Sequence, residues 1–166
     1  MPADSEPAAG TMTQRALPVD LPHTFRPIGV RLAVFGLGGL LVLVAAVVWF
    51  TLPLDIRAKF TLFQRGTIIV LGLGFLALGW GLARSRVEAR HDGLRVVNGY
   101  RSRDLEWTEV VAVTMRPGSP WAVLDLGDGT TSQVLGIQAS DGARATRQVR
   151  QLRALVDVLT RPDRND

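Results

Sequence analysis

Few side chains in this sequence have the types and spacing that catalysis or metal binding requires. The two histidines, His23 and His91, lie in different segments and do not form a metal-site pattern. The chain contains no cysteine, which excludes disulfides, thiolate metal sites and a thiolate nucleophile. No serine lies in the context of a nucleophile elbow. We therefore predict no enzyme, no cofactor and no small-molecule substrate.

Arginine is the residue type through which this chain could bind a charged ligand. The net charge is +4, and Lys59 is the only lysine. Arginines around a short predicted turn at residues 91–93 could contact anionic lipid, each contributing about 1 kcal/mol near a charged bilayer. Asp92 in that turn makes a cradle for several phosphates a poor fit, so orientation of a tethered domain is the simpler role. The candidate lipid contacts are Arg90, Arg95, Arg101 and Arg103.

A second set of arginines recurs every three residues near the C-terminus. This spacing is typical of the exposed face of a helix. Neither interleaved aromatic residues nor a known nucleic-acid-binding motif accompanies it, so we predict no nucleic-acid partner. These arginines are Arg144, Arg147, Arg150 and Arg153.

Two apolar segments dominate the first half of the chain. Residues 32–52 and 66–83 contain no charged residue. Each is long enough to cross a hydrocarbon core of about 30 Å at about 1.5 Å per helical residue. The connector 53–65 is short, which predicts a transmembrane hairpin within residues 28–83. The first segment is too long, and begins too far along the chain, for a cleaved signal peptide.

The distribution of arginine around this hairpin predicts its orientation. Basic residues on the terminal side outnumber those in the connector, so the positive-inside rule places both termini in the cytoplasm, at the cell membrane. Ala77 and Gly81 have a spacing that lets helices approach closely. They could pack the two spans together or form an oligomer contact, and we favour the first.

The flanks of the hairpin differ from each other. Residues 1–27 are rich in proline and predict a disordered tail, and residues 161–166 form a second short tail. Residues 84–160 show alternating runs between turn signals, which predicts a β-rich domain and an α+β fold class. The predicted strands of this meander lie at 87–90, 94–97, 100–105, 110–115, 121–126 and 131–137.

The last element of the domain is an amphipathic helix in the pattern. Taking Ser140 or Asp141 as its N-cap, apolar residues fall on one stripe up to Leu159. Such a helix would cover one face of the strand meander and complete a core. The predicted core includes Trp107, Val110, Trp121, Leu124, Leu152 and Val156.

The order of these elements resembles the bacterial pleckstrin-homology-like (PH-like) domains. It is similar to small actinobacterial membrane proteins with two spans and one such domain, among them the low-molecular-weight antigen 6 proteins of mycobacteria. The likeness covers residues 84–159 and rests on LEWTEVVAV at 105–113, on VLDLGDG at 123–129 and on the closing helix. It implies a bent sheet of about seven strands capped by a helix. The seventh strand is expected near Arg84 or Ser119.

Together these features predict a membrane-anchored PH-like module without catalytic activity. It would bind another membrane protein or a second copy of itself. The alternative is binding of anionic lipid headgroups, since eukaryotic relatives of the fold hold inositol phosphates with basic residues around the first hairpin. In this chain that role would fall to the four candidate arginines.

Overall fold

The computed structural model describes residues 17–160, which form an apolar helical hairpin and a β-sandwich closed by a helix. In the hairpin, helix α1 spans Gly29–Thr51 and helix α3 spans Leu62–Ala83, with the short helix α2 at Leu54–Lys59 between them. By length and composition both long helices could cross a membrane, with mean hydropathies of 2.6 and 1.9. Helix α1 contains one π-helical turn, Ala33–Leu37.

The sandwich consists of two antiparallel sheets and a C-terminal helix, so the fold is α+β, as predicted. In spatial order, the first sheet contains β1 at His23–Phe25, β2 at Arg86–Ala89, β3 at Gly93–Asn98 and β4 at Arg101–Glu106. The second sheet contains β5 at Val110–Thr114, β6 at Trp121–Leu126 and β7 at Thr131–Gln138. Helix α4 spans Ala143–Leu159 and packs on β5 and β7.

The core lies between the two sheets and α4, and most of the predicted core residues belong to it. Successive side chains of a strand point to opposite faces, and β6 buries Ala122, Leu124 and Leu126. The prediction is wrong for Trp121, which is only partly buried because it points to the other face of β6. The predicted core residues that are buried are Trp107, Val110, Leu124, Leu152 and Val156.

The seventh strand precedes the hairpin and does not lie near Arg84 or Ser119. Strand β1 pairs with β2, with His23 opposite Ala89, and it inserts the fully buried side chain of Phe25 into the core. The prediction of a disordered tail is therefore wrong for β1. Residues 1–16 of the first predicted tail and the whole second tail, 161–166, lie outside the described residues. The apolar hairpin thus occupies the connection between the first two strands of the sheet.

The start of the closing helix also differs from the prediction. Residues Ala139–Asp141 form a 3-10 turn, and Gly142, with a φ of 56°, is the N-cap of α4 without a side-chain cap bond. This left-handed φ suits glycine and redirects the chain into the helix. The side chain of Asp141 is used elsewhere.

Candidate functional site

Asp141 caps the first helix of the hairpin instead of the closing helix. Its Oδ2 accepts the backbone N–H of Ile28 at 2.9 Å, and its Oδ1 accepts that of Gly29 at 2.8 Å. A carboxylate at this position satisfies orphan N–H groups and interacts favourably with the positive end of the helix dipole. The contact joins two segments more than a hundred residues apart, so no local sequence signal marks it.

Tyr100 fixes the second helix of the hairpin to the turn between β3 and β4. Its hydroxyl donates to the carbonyl of Ala77 at 2.5 Å, and its ring packs on Gly81. A Cβ at Gly81 would lie 2.8 Å from Cε2 of that ring. Ala77 and Gly81 thus contact the side chain of Tyr100 rather than the other long helix. Between the helices the close approach is at Gly79, where a Cβ would lie 3.1 Å from Val34.

Two further contacts complete this connection. The buried hydroxyl of Ser85 donates to the carbonyl of Gly81 at 3.3 Å and accepts the N–H of Gly99 at 2.9 Å. The Nε of Arg31 donates to the carbonyl of Ala83 at 3.1 Å. We call the contacts of Asp141, Tyr100, Ser85 and Arg31 the junction. The end of the sandwich next to the junction is called the hairpin end. The opposite end, which carries the β2–β3 and β6–β7 turns, is called the far end.

The arginines that flank the β2–β3 turn are engaged in ion pairs. Arg90 Nη2 lies 2.5 Å from Glu88, Arg90 Nη1 lies 4.0 Å from Asp104, and Arg95 Nε lies 3.8 Å from the same carboxylate. A hydrogen bond from Arg86 to Glu88, supported by that from Arg90, lowers the pKa of this carboxyl. Glu88 in turn raises the pKa of Arg90. The guanidinium groups of Arg90 and Arg95 are therefore partly neutralised within the sheet.

The structure does not bring the four candidate lipid contacts into one site. Strand β3 separates the β2–β3 turn from the β3–β4 turn, and its ends lie about 17 Å apart at about 3.3 Å per residue. Arg90 lies at the far end, whereas Arg101 pairs with Asn98 at the hairpin end. Arg103 pairs with Val96 and so shares its face of the sheet, opposite to that of Arg95. In addition, the connection between β1 and β2, the first two strands, is the apolar hairpin and not a short basic turn.

A groove at the far end carries more acidic than basic groups. It has a volume of about 330 Å³ and lies between the β2–β3 turn and the end of β4. Its carboxylates outnumber its guanidinium groups by four to two, which does not suit a phosphate. The charged lining residues are Arg90, Arg95, Asp92, Asp104, Glu106 and Glu109.

Strand β4 is an exposed edge of the first sheet. Every residue of the strand except Leu105 is exposed, and across residues 17–160 no strand pairs with its outer side. The corresponding edge at β5 is covered, because Arg153 of α4 donates from Nε to the carbonyl of Val113 at 2.6 Å. All four arginines of the helical set are exposed, as predicted: Arg144, Arg147, Arg150 and Arg153.

The part of the chain that the structure describes contains no cluster of potential metal ligands. No group of three or more histidine, aspartate or glutamate side chains could hold a metal ion there. Asp128 has a lowered pKa, but the cause is local, because the side chain and backbone of Thr130 donate to its carboxylate. These are turn contacts.

Comparison with known proteins agrees with this architecture. The family described as bacterial PH domain matches residues 84–155. The uncharacterised proteins Rv1417 of Mycobacterium tuberculosis and Mb1452 of Mycobacterium bovis are each 35% identical over 115 residues, which is 68% of this chain and 74% of the relative. No solved structure shows a significant match.

The chain therefore belongs to the bacterial PH domain family, which confirms the resemblance at the level of the domain. The aligned 115 residues are more than the chain has from Arg84 onward, so the similarity to the mycobacterial relatives extends into the apolar hairpin. Domains of this kind are in general non-catalytic interaction modules.

Proposed function

We propose that this chain is a membrane-anchored, non-catalytic PH-like module that binds a second membrane protein at the cytoplasmic face of the cell membrane. One observation carries the anchoring. The sandwich has a closed core of its own, whereas in the most apolar stretches of α1 and α3 only 0% and 11% of the residues are buried. Such exposed apolar surface needs lipid around it.

The charges next to the hairpin support the cytoplasmic placement. Arg26, Arg31 and Arg84 lie beside the helix ends that face the sandwich, whereas Arg57, Lys59 and Arg65 lie at the other end. Further arginines follow on the sandwich side, so the positive-inside rule favours a cytoplasmic sandwich. The junction would then hold the domain in a fixed orientation against the bilayer.

The exposed edge at β4 is the surface that we assign to the partner. A strand added there would pair its backbone with the unpaired side of β4, which is a recurrent way of binding extended segments. The adjoining groove carries excess carboxylates, so a partner segment with basic residues fits its charge. The ion pairs of Arg90 and Arg95 weigh against headgroup binding at that position.

Site-specific photocrosslinking in native membranes tests this proposal. A photoreactive amino acid at Ser102, exposed on β4, should give one reproducible adduct. The matched control places it at Arg147, exposed on α4. Equal labelling from both sites, or no discrete adduct from Ser102, would count against the edge. Extraction of the full chain by alkaline carbonate without detergent would overturn the anchoring itself.

A further inference from the structure

The groove between the two long helices at the junction is the place where the structure combines apolar and basic chemistry. We infer that one anionic glycerophospholipid binds there, with an acyl chain between α1 and α3 and its phosphate at Arg31 and Arg84. The inference rests on the proposed membrane insertion of the hairpin. It places the lipid contact at residues other than the arginines of the β2–β3 turn.

The apolar part of the site is a groove of about 430 Å³ next to the domain. Phe35 of α1 and Trp80 of α3 meet edge to face across it, with ring centroids 6.1 Å apart. Tyr100 forms the wall on the sandwich side. Because its hydroxyl is bonded to Ala77, the tyrosine presents its ring to the groove. Gly39 leaves room, since a Cβ there would meet no atom within 4 Å.

Both arginines lie one helical turn from the aromatic pair, on the side of the sandwich. Arg31 precedes Phe35 by four residues and Arg84 follows Trp80 by four, so each shares a face with its ring. The bond from Arg31 Nε to Ala83 brings the first guanidinium to the end of α3. The second lies 5.6 Å from the centroid of the Tyr100 ring. The two charges thus cap the same end of one apolar groove.

Neither guanidinium is neutralised by the described part of the protein. The ion pairs within residues 17–160 involve Arg86, Arg90 and Arg95, and none involves Arg31 or Arg84. Asp141 lies in the same junction, but its two oxygens accept backbone N–H groups of α1. A guanidinium presents several donors in a planar fork that matches phosphate oxygens.

The depth of the site in a bilayer fits a lipid better than a protein segment. Tryptophan and tyrosine prefer the boundary between headgroups and acyl chains, and Trp80 and Tyr100 would lie at that level. Apolar surface on the bilayer side and two positive charges on the aqueous side match a single amphiphile. Two guanidinium groups that no carboxylate of residues 17–160 pairs with favour a lipid with net negative charge over a zwitterionic one.

Native mass spectrometry of the full chain in mild detergent tests the charge part of the site. The chain is incubated with equal amounts of phosphatidylglycerol and phosphatidylcholine that carry identical acyl chains. We expect one retained phosphatidylglycerol per chain, and about a thirtyfold loss of this retention in Arg31→Gln/Arg84→Gln. The matched control, Arg144→Gln/Arg147→Gln, removes the same charge from exposed positions on α4 and should retain the lipid.

A second pair of variants tests the groove while leaving every charge in place. Gly39→Leu fills the groove, whereas Gly36→Leu adds the same side chain to the same helix outside it. A Cβ meets no atom within 4 Å at either glycine, so both variants should fold. Gly39→Leu should lower retention of phosphatidylglycerol severalfold, and Gly36→Leu should leave it unchanged.

Either of two results would overturn the inference. One is equal retention of the two lipids by the unmodified chain, and the other is equal loss in the test and control variants. Carbonate extraction of the same membranes separates this failure from failure of the anchoring. A chain that resists extraction but shows no lipid preference refutes the lipid site alone.

Discussion

The two ends of the sandwich are built in opposite ways. The hairpin end is assembled from segments far apart in the sequence, since Asp141 reaches Gly29 and Tyr100 reaches Ala77. The far end consists of tight turns stabilised by neighbours, such as Asp128 with Thr130. A single substitution at the hairpin end therefore removes a long-range contact, whereas one at the far end disturbs a turn.

The two ends of the sandwich also differ in how their arginines are paired. At the far end, arginines and carboxylates pair with each other, as Arg90 does with Glu88. At the junction, Arg31 donates to a backbone carbonyl and Arg84 lies over an aromatic ring, and no carboxylate within residues 17–160 pairs with either charge. The far end thus pairs its arginines internally and keeps an excess of carboxylates, whereas the junction presents two positive charges to the surroundings.

The largest effect is expected from removing the contribution of β1 to the core. Phe25→Ala should lower the free energy of unfolding by about 3–5 kcal/mol, because it deletes a fully buried aromatic side chain. Denaturant titration of the full chain in detergent micelles, followed by near-UV circular dichroism, measures this loss. Phe63→Ala, at a position 83% exposed on α3, should change the value little. Similar losses in both variants would contradict a structural role of β1.

An intermediate effect is expected at the cap of α1. Asp141→Ala should cost about 1–2 kcal/mol, because two N–H groups lose their acceptor and the helix dipole loses a compensating charge. Hydrogen exchange at Ile28 and Gly29 should accelerate in parallel. Ser140→Ala is the control next to it in the chain. An unchanged exchange rate in Asp141→Ala would show that the cap contributes nothing to the junction.

The smallest effect concerns Glu88, whose charge is balanced by Arg86 and Arg90. The folded-state pKa lies below the ordinary value of 4.5, so the carboxylate stabilises the fold above that pH. This contribution disappears as the pH falls through the folded-state pKa. Glu88→Gln should therefore be slightly less stable than the unmodified chain near pH 7, and the difference should shrink to zero as the pH falls through and below the folded-state pKa, by thermal melts across this range. A constant difference between the two chains at all pH values would refute the assignment.

Local patterns were sufficient for the strands that follow the hairpin. The predicted runs 121–126 and 131–137 coincide with β6 and β7 to within one residue. Alternation of apolar and polar residues between glycine turns determines such strands, because consecutive antiparallel strands pair with their neighbours. The buried stripe of the closing helix was predicted for the same reason, because its period is set by helix geometry.

The features that the sequence did not predict depend on contacts or strand register that neighbouring residues do not reveal. Strand β1 has three residues among prolines, too few for alternation to be detected, and its partner β2 begins after the whole hairpin. Asp141 has the residue type of an N-cap, but its carboxylate caps a helix that precedes it in the chain, by accepting the N–H groups of Ile28 and Gly29. Trp121 has a core residue type, yet the register of β6 turns it outward.

The sequence by itself determined the apolar hairpin, the meander and the amphipathic closing helix, because hydrophobic periodicity is encoded in neighbouring residues. Only the tertiary structure decided that the hairpin is inserted within the sheet, that Asp141 and Tyr100 attach it, and that Arg31 and Arg84 cap one groove. These features depend on contacts between distant segments. Their free energy is gained only when the whole chain has folded, so no local pattern announces them.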